Sequence, residues 1–256
     1  MFDHNKIDIL LQYTKEAGDL AKQLKEVDLI IEKKLDNSFV TNADKALDLF
    51  LTTAIREKLC NHDLIISEED VSLTNPLIAS INAGFWSIDP IDSTKSYLNK
   101  DPNYCINIAY IENNIPIFGL IYAPETETMW YGSLKYGAFK QIKNAHAQQI
   151  FVRKIPTSGA VLMSSEEQIT PKDILKKLNI VNEIKIPSAI KFCHIAEGEA
   201  DYYIRKRNKA CDWDIASGHA LIIAAGGSVN FMEEHANFRY GIPPYLAPSL
   251  LASGKI

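Results

Sequence analysis

The feature that most restricts the fold of this 256-residue chain is that its hydrophobic period changes twice along its length. Ile7, Leu10, Leu11, Ala17, Ala21 and Leu24 recur every three or four residues, which predicts an amphipathic helix over residues 4–26. Leu29-Ile30-Ile31 reads as a short strand. Phe39-Val40-Thr41 then leads into a second helix with Leu47, Phe50, Leu51, Ala54, Ile55 and Leu59 on one stripe. From Leu64 the runs become short and β-rich: Leu64-Ile65-Ile66, Phe85-Trp86-Ser87-Ile88, 105–111, 115–122, Met129-Trp130-Tyr131 and Ala138-Phe139. Glu112-Asn113-Asn114 reads as the three-residue turn of an antiparallel hairpin. Beyond Ile155-Pro156 the two types alternate, with strands at 161–163 and 201–204 and helices at 171–178, 188–197 and 213–225. Gly226-Gly227 ends the last helix, since glycine accepts the left-handed cap. Helices, then an antiparallel sheet, then alternating α and β predict an α+β protein of two packed layered halves. The division falls at residue 150, with an N-terminal half over 1–150 and a C-terminal α/β half over 151–256.

Composition sets the limits on partners. Apolar residues make up 46% of the chain and charged residues 23%, as in ordinary globular proteins. A net charge of -5 argues against nucleic acid as a partner, because phosphate neutralisation needs a basic surface. A phosphate ester bound by such a chain needs a positive field from something other than net charge. Cys60, Cys105, Cys193 and Cys211 form no C-x-x-C pair, so neither a zinc site nor a disulfide framework is expected. The N-terminal segment mixes charges with apolar residues, and no run approaches the roughly 18 apolar residues of a membrane span. A cytoplasmic protein without an integral membrane segment is the expectation.

The acidic residues of interest stand at the ends of apolar segments. Glu68 and Glu69 follow Leu64-Ile65-Ile66, Asp89 and Asp92 follow Phe85-Trp86-Ser87-Ile88, Asp44 follows Phe39-Val40-Thr41, and Asp214 stands beside Trp213 at the mouth of a helix. Pro90 disfavours helical backbone at Asp89, so a sharp turn is expected there, with both carboxylates facing one cation and the Ile91 carbonyl between them. Lys95-Ser96-Tyr97-Leu98 reads as a short helix whose start suits an anion. Carboxylates for Mg²⁺ just before such a start suit metal-assisted phosphoryl hydrolysis, and the cations supply the missing positive field. Taken singly, D-x-x-D is an ordinary turn and an Asp before a helix an ordinary cap. Their combination in one order carries the reading.

That combination resembles the Mg²⁺-dependent, lithium-sensitive phosphatase superfamily of inositol monophosphatases, fructose-1,6-bisphosphatases and bisphosphate nucleotidases. The matching segments are Ile66-Ser67-Glu68-Glu69-Asp70, the run from Trp86 through Asp89-Pro90-Ile91-Asp92 to Ser93-Thr94, and Trp213-Asp214-Ile215-Ala216 with Gly226-Gly227. Within it the chain is most similar to bacterial bisphosphate nucleotidases of the CysQ type. Asp36-Asn37-Ser38-Phe39-Val40-Thr41, Asn107-Ile108-Ala109 and Ser188-Ala189-Ile190-Lys191-Phe192-Cys193 carry this likeness. The resemblance implies a layered αβαβα sandwich and hydrolysis of the 3′-phosphate of adenosine 3′,5′-bisphosphate to AMP by a metal-activated water. It implies two or three Mg²⁺ ions on Glu68, Asp89, the Ile91 carbonyl, Asp92 and Asp214, and inhibition by Li⁺. Asp44 and Thr94 would orient the water. Ser93 and Thr94 amides would hold phosphate, and Ser188, Lys191, Arg205 and Asp214 would contact the nucleotide.

Two departures bear on this. The family carries Gly where Ser93 stands; serine serves there if its φ is negative and strains the loop if φ must be positive. The basic run Arg205-Lys206-Arg207-Asn208-Lys209 adds either phosphate affinity or a solvated loop. Lys191 reads equally as a solvated helix residue. An inositol monophosphatase and a catalytically silent sensor of phosphorylated small molecules are the alternatives, and oligomeric state stays open.

Overall fold

Helix α1 (His4–Lys25) starts where the Asp3 carboxylate accepts the Lys6 amide, and it buries the stripe Ile7, Leu10, Thr14, Ala17, Gly18 and Ala21. The computed structural model describes residues 3–27, 29–34, 39–59, 62–70, 83–165, 168–206, 210–232 and 238–255. Residues 36–38, Cys60 and residues 207–209, the last three being part of the basic run, lie outside the described residues. Strand β1 (Ile31–Lys33) begins at the end of its apolar triplet and pairs antiparallel with β2 (Phe39–Thr41). Helix α2 (Asn42–Lys58) follows at once, capped reciprocally by Thr41 and Asp44.

Seven strands form the first sheet, in sequence order: β3 (Leu64–Ser67), β4 (Phe85–Asp92), β5 (Cys105–Glu112), β6 (Ile115–Ala123), β7 (Thr128–Ser133), β8 (Gly137–Ile142) and β9 (Gln148–Ile150). The short helix α3 (Thr94–Leu98) follows β4. β3 and β4 run parallel, and each later neighbour is antiparallel. Both faces are covered, so alternate residues of each strand serve different cores. Ile65, Trp86, Ile88, Ile106, Ile108 and Leu120 pack with α1 and α2, whereas Ile66, Phe85, Cys105, Ala109 and Ile121 face the opposite layer. The β5–β6 hairpin closes through two residues, not three: Glu112 pairs with Ile115, and Asn113 and Asn114 have φ of 50° and 66°. Two left-handed residues match the twist of the flanking strands, so Glu112 stays in its strand.

In the second sheet, β10 (Ala160–Ser164), β11 (Ile180–Lys185), β12 (Tyr202–Arg205), β13 (Ser228–Phe231) and β14 (Leu250–Ser253) lie in the order β11-β10-β12-β14-β13. Helix α4 (Lys172–Lys177) rests on the outside against β11. Between the sheets lie α5 (Ile190–Ala196) and α6 (Ala216–Ala224), and the core around them joins Phe85, Ala109 and Ile121 to Phe192, Tyr203 and Leu250. The layers are α1 and α2, seven strands, α5 and α6, five strands, and α4: an αβαβα sandwich. Glycines set the spacing at its centre. A Cβ on Gly119 would lie 2.2 Å from the Ser217 carbonyl oxygen, and one on Gly218 2.2 Å from the Phe192 ring. Two predicted helices are shorter than their apolar runs. The 188–197 segment becomes helical only at Ile190, after a left-handed Ser188 with φ of 59°, and the 213–225 segment opens with a 3₁₀ turn at Asp212–Asp214.

Candidate active site

Parallel pairing brings the C-terminal ends of β3 and β4 together. Ser67 pairs with Ile88 and the Glu68 amide donates to the Ile88 carbonyl at 3.1 Å, so Glu68 emerges beside Asp89. The strand does not turn off after Ile88; β4 continues to Asp92 through a bulge. Asp89 pairs with Asn107 and Asp92 with Cys105, so Pro90 and Ile91 on β4 face Ile106 alone on β5. Pro90 falls inside the bulge, where its missing N–H breaks no ladder bond. Asp89 Oδ1 accepts the Ile91 amide at 3.1 Å, and that local bond holds the bulge.

The third acid comes from the other half of the chain. Asp214 lies on the 3₁₀ turn ahead of α6, where its Oδ2 accepts the Cys211 amide at 2.8 Å. One carboxylate oxygen from each of Glu68, Asp89 and Asp214 lies within 4.8 Å of the others. Asp92 is held from both halves, its Oδ2 accepting Asn107 Nδ2 at 3.0 Å and the Ala189 amide at 2.5 Å. Asp44 divides its oxygens: Oδ2 accepts the Thr41 amide and hydroxyl at 2.7 and 2.6 Å, and Oδ1 accepts the Thr94 hydroxyl at 3.2 Å. The Thr94 hydroxyl also lies 3.4 Å from the Ile91 carbonyl.

These groups are uncomfortable together. Burial raises the pKa of Asp89, which is 2% exposed, and the charges of Glu68, Asp92, Asp214 and Asp44 raise it further. Asp214 is pushed up to about 7 by burial and Asp92, against the opposing pull of Arg205. Burial also raises Glu68, against the Lys34 ammonium, and Asp44, against its hydrogen bonds from Thr41 and Thr94. Crowded hard oxygens that repel one another fit a hard divalent cation, whose charge offsets the repulsion. A second trio, His194, Glu197 and Glu199, has its ligand atoms as close, but Lys140 and Trp130 Nε1 already donate to Glu197.

A pH dependence follows. Asp214 and Asp212 rise from 3.8 to about 7, burial being the main cause for both. A carboxyl group that holds its proton more tightly when folded withdraws stability as it ionises, so unfolding becomes easier between about pH 4 and pH 7. Metal-free protein is expected to melt lower at about pH 7.5 than at about pH 5, with Mg²⁺ restoring more at the higher pH. A metal-free melting temperature that climbs over this interval contradicts the assignment.

Beside the acids opens a cavity of about 480 Å³, and Asp92, Ser93, Ser188, Lys191, Arg205 and Asp214 all line it. Lys191 is not a solvated helix residue. It is buried, and its ammonium donates to the Ile186 and Ser188 carbonyls at 3.0 and 2.6 Å. Ser93 has φ 74° and ψ 60°, with its hydroxyl on Ser96 Oγ at 2.9 Å and no capping bond. The positive-φ case therefore holds, and a left-handed residue with a Cβ costs about 1–2 kcal/mol. Thr94 nevertheless reaches Asp44. Sequence reasoning missed Lys34, which donates to Glu68 and Glu69 at 2.8 Å each, and Asn107, which fixes Asp92. A polar Asn between Ile106 and Ile108 in a buried strand was a usable signal; Lys34 in a charged run offered none.

The model of the inositol monophosphatase family matches residues 4–254. The 3′(2′),5′-bisphosphate nucleotidase CysQ of Buchnera aphidicola is 32% identical over 225 residues, covering 87% of this chain and 83% of that protein. Its namesake in Escherichia coli is 32% identical over 228 residues, covering 88% and 89%. The crystal structure of CysQ from Bacteroides thetaiotaomicron superposes with a TM-score of 0.79 at 23% identity, over 100% of this chain and 99% of that one.

Proposed function

The chain belongs to the inositol monophosphatase family, and from that premise we propose a Mg²⁺-dependent phosphatase that removes the 3′-phosphate of adenosine 3′,5′-bisphosphate, giving AMP and phosphate. One observation carries the choice of substrate: a single cavity joins the acidic residues Asp92 and Asp214 to the buried cations Lys191 and Arg205. A substrate with two phosphates has use for both ends. One end takes the ester to be cleaved, and the other answers the second phosphate with charged donors.

Glu68, Asp89, Asp92, Asp214 and the Ile91 carbonyl are the residues that would hold magnesium. Bound there, it offsets their repulsion and favours the negative charge that develops on phosphate and leaving-group oxygens during hydrolysis. Asp44 orients the Thr94 hydroxyl through Oδ1, which leaves the hydroxyl oxygen able to accept from a water lying in line with phosphorus. Its raised pKa suits Asp44 to take up a proton passed through Thr94. The Ser93 and Thr94 amides hold phosphate oxygens. Lys191 has two of its three protons on backbone carbonyls and lines the cavity, where its charge would meet the second phosphate. The enzyme would work in the cytoplasm, where Cys105, Cys193 and Cys211 stay free thiols.

The test is steady-state kinetics with Mg²⁺ across adenosine 3′,5′-bisphosphate, 3′-AMP and inositol 1-phosphate. Adenosine 3′,5′-bisphosphate is expected to have the highest kcat/KM. Faster turnover of inositol 1-phosphate makes the chain an inositol monophosphatase, and calorimetric binding without phosphate release makes it a sensor.

A further inference from the structure

Ser93 holds a left-handed conformation, and α3 has only five residues, too few to sustain a helix by its own hydrogen bonds. Something outside the turn must therefore keep Thr94 in place. Tyr97 is the side chain of α3 that reaches furthest into the core. It is fully buried, its amide donates to the Ser93 carbonyl at 3.1 Å, and its hydroxyl donates to the Ala21 carbonyl of α1 at 2.7 Å. Its ring meets Tyr104 edge-on, with centroids 5.0 Å apart. The Lys25 ammonium stands 5.0 Å from the Tyr97 ring centre and 4.3 Å from that of Tyr104. Glu125 closes the group, accepting from Lys25 at 2.8 Å and from the Tyr104 hydroxyl at 3.1 Å.

These bonds complete a triangle of helices. Tyr97 ties α3 to α1, α1 packs along α2, and Asp44 on α2 accepts the Thr94 hydroxyl at the start of α3. The metal-ligating candidates lie outside the triangle: Glu68 directly follows β3, Asp89 and Asp92 belong to β4, and Asp214 belongs to the 3₁₀ turn. We infer that Tyr97, braced by Lys25 and Tyr104, is a positioning residue that sets the Thr94–Asp44 contact from one turn further along α3. The inference rests on the proposed role of Thr94 and Asp44 in orienting the attacking water. It assigns the ion pair between buried Lys25 and exposed Glu125 a task in catalytic geometry that needs no contact with the substrate.

The test compares Tyr97→Phe, which removes one hydroxyl, and Lys25→Met with the parent enzyme. For Tyr97→Phe, kcat is expected to fall about tenfold, with KM for the best substrate and calorimetric Mg²⁺ affinity unchanged. In a Thr94→Ala background the same change should cost nothing further, since both act through one contact. Amide exchange across Thr94–Leu98 should quicken in both variants while the β3 and β4 amides keep their rates. An unchanged kcat, a loss that multiplies with Thr94→Ala, or a matching loss of Mg²⁺ affinity overturns the inference. If the parent enzyme hydrolyses no phosphomonoester, the functional reading fails first. Exchange then decides alone, and unaltered rates across α3 reject the brace.

Discussion

Asp89→Asn is expected to reduce kcat/KM by roughly 10³-fold or more while making the metal-free protein more stable. The two effects share one cause. Asp89 is buried where the charges of Glu68, Asp92, Asp214 and Asp44 all bear on it, so its ionised form is costly without a cation and indispensable with one. Asparagine matches its shape and keeps the oxygen that accepts the Ile91 amide, so the bulge that presents the Ile91 carbonyl survives. Only the charge is lost. Calorimetry with Mg²⁺ should show weakened or absent binding, and thermal melting without metal should move up. An Asp89→Asn enzyme with near-parental turnover and intact Mg²⁺ binding would remove the acidic cluster from the mechanism.

Gly119→Val is expected to have the largest effect on stability, about 3 kcal/mol, which for a chain of this length lowers the melting temperature by roughly 6–12 °C. The first added carbon would sit 2.2 Å from the Ser217 carbonyl oxygen and 2.9 Å from Ala220 Cβ. A carbonyl inside a packed helix cannot step aside as a flexible side chain can, so α6 must lift from β6 or the fold must open. Lifting α6 also drags the preceding 3₁₀ turn, which carries Asp214 away from Glu68 and Asp89. Lost Mg²⁺ affinity should accompany the lower melting temperature. A melting temperature within about 2 °C of the parent's would mean that the sheet and helix are less tightly apposed than this contact requires.

The elements that sequence reasoning located are those whose information is local. α1 and α2 are periodic over several turns, and the central strands of the first sheet are apolar on both faces, so each announces itself within its own residues, whereas the polar edge strand β9 does not. β11 did not. It is an edge strand with Val181, Asn182, Ile184 and Lys185 all exposed, so neither an alternating pattern nor an apolar run marks it. Pro90 by itself reads as a turn because its backbone preference is local. Whether that preference yields a turn or a bulge depends on how Asp89 and Asp92 register against β5, which lies in another segment. The same holds for Lys191: helical spacing alone could not tell a solvated lysine from one whose ammonium is fastened to the Ile186 and Ser188 carbonyls.

By itself the sequence determined α1, α2, the run of strands from β3 to β8 and the acids that follow their apolar cores. Period, proline geometry and capping chemistry act over a few residues. The tertiary structure alone decided that Asp214 meets Glu68 and Asp89, that Ser93 is held left-handed, and that Lys34 and Asn107 serve the acids. Those outcomes depend on distances between segments far apart in the chain, where packing and mutual charge determine the result and local preference has no say.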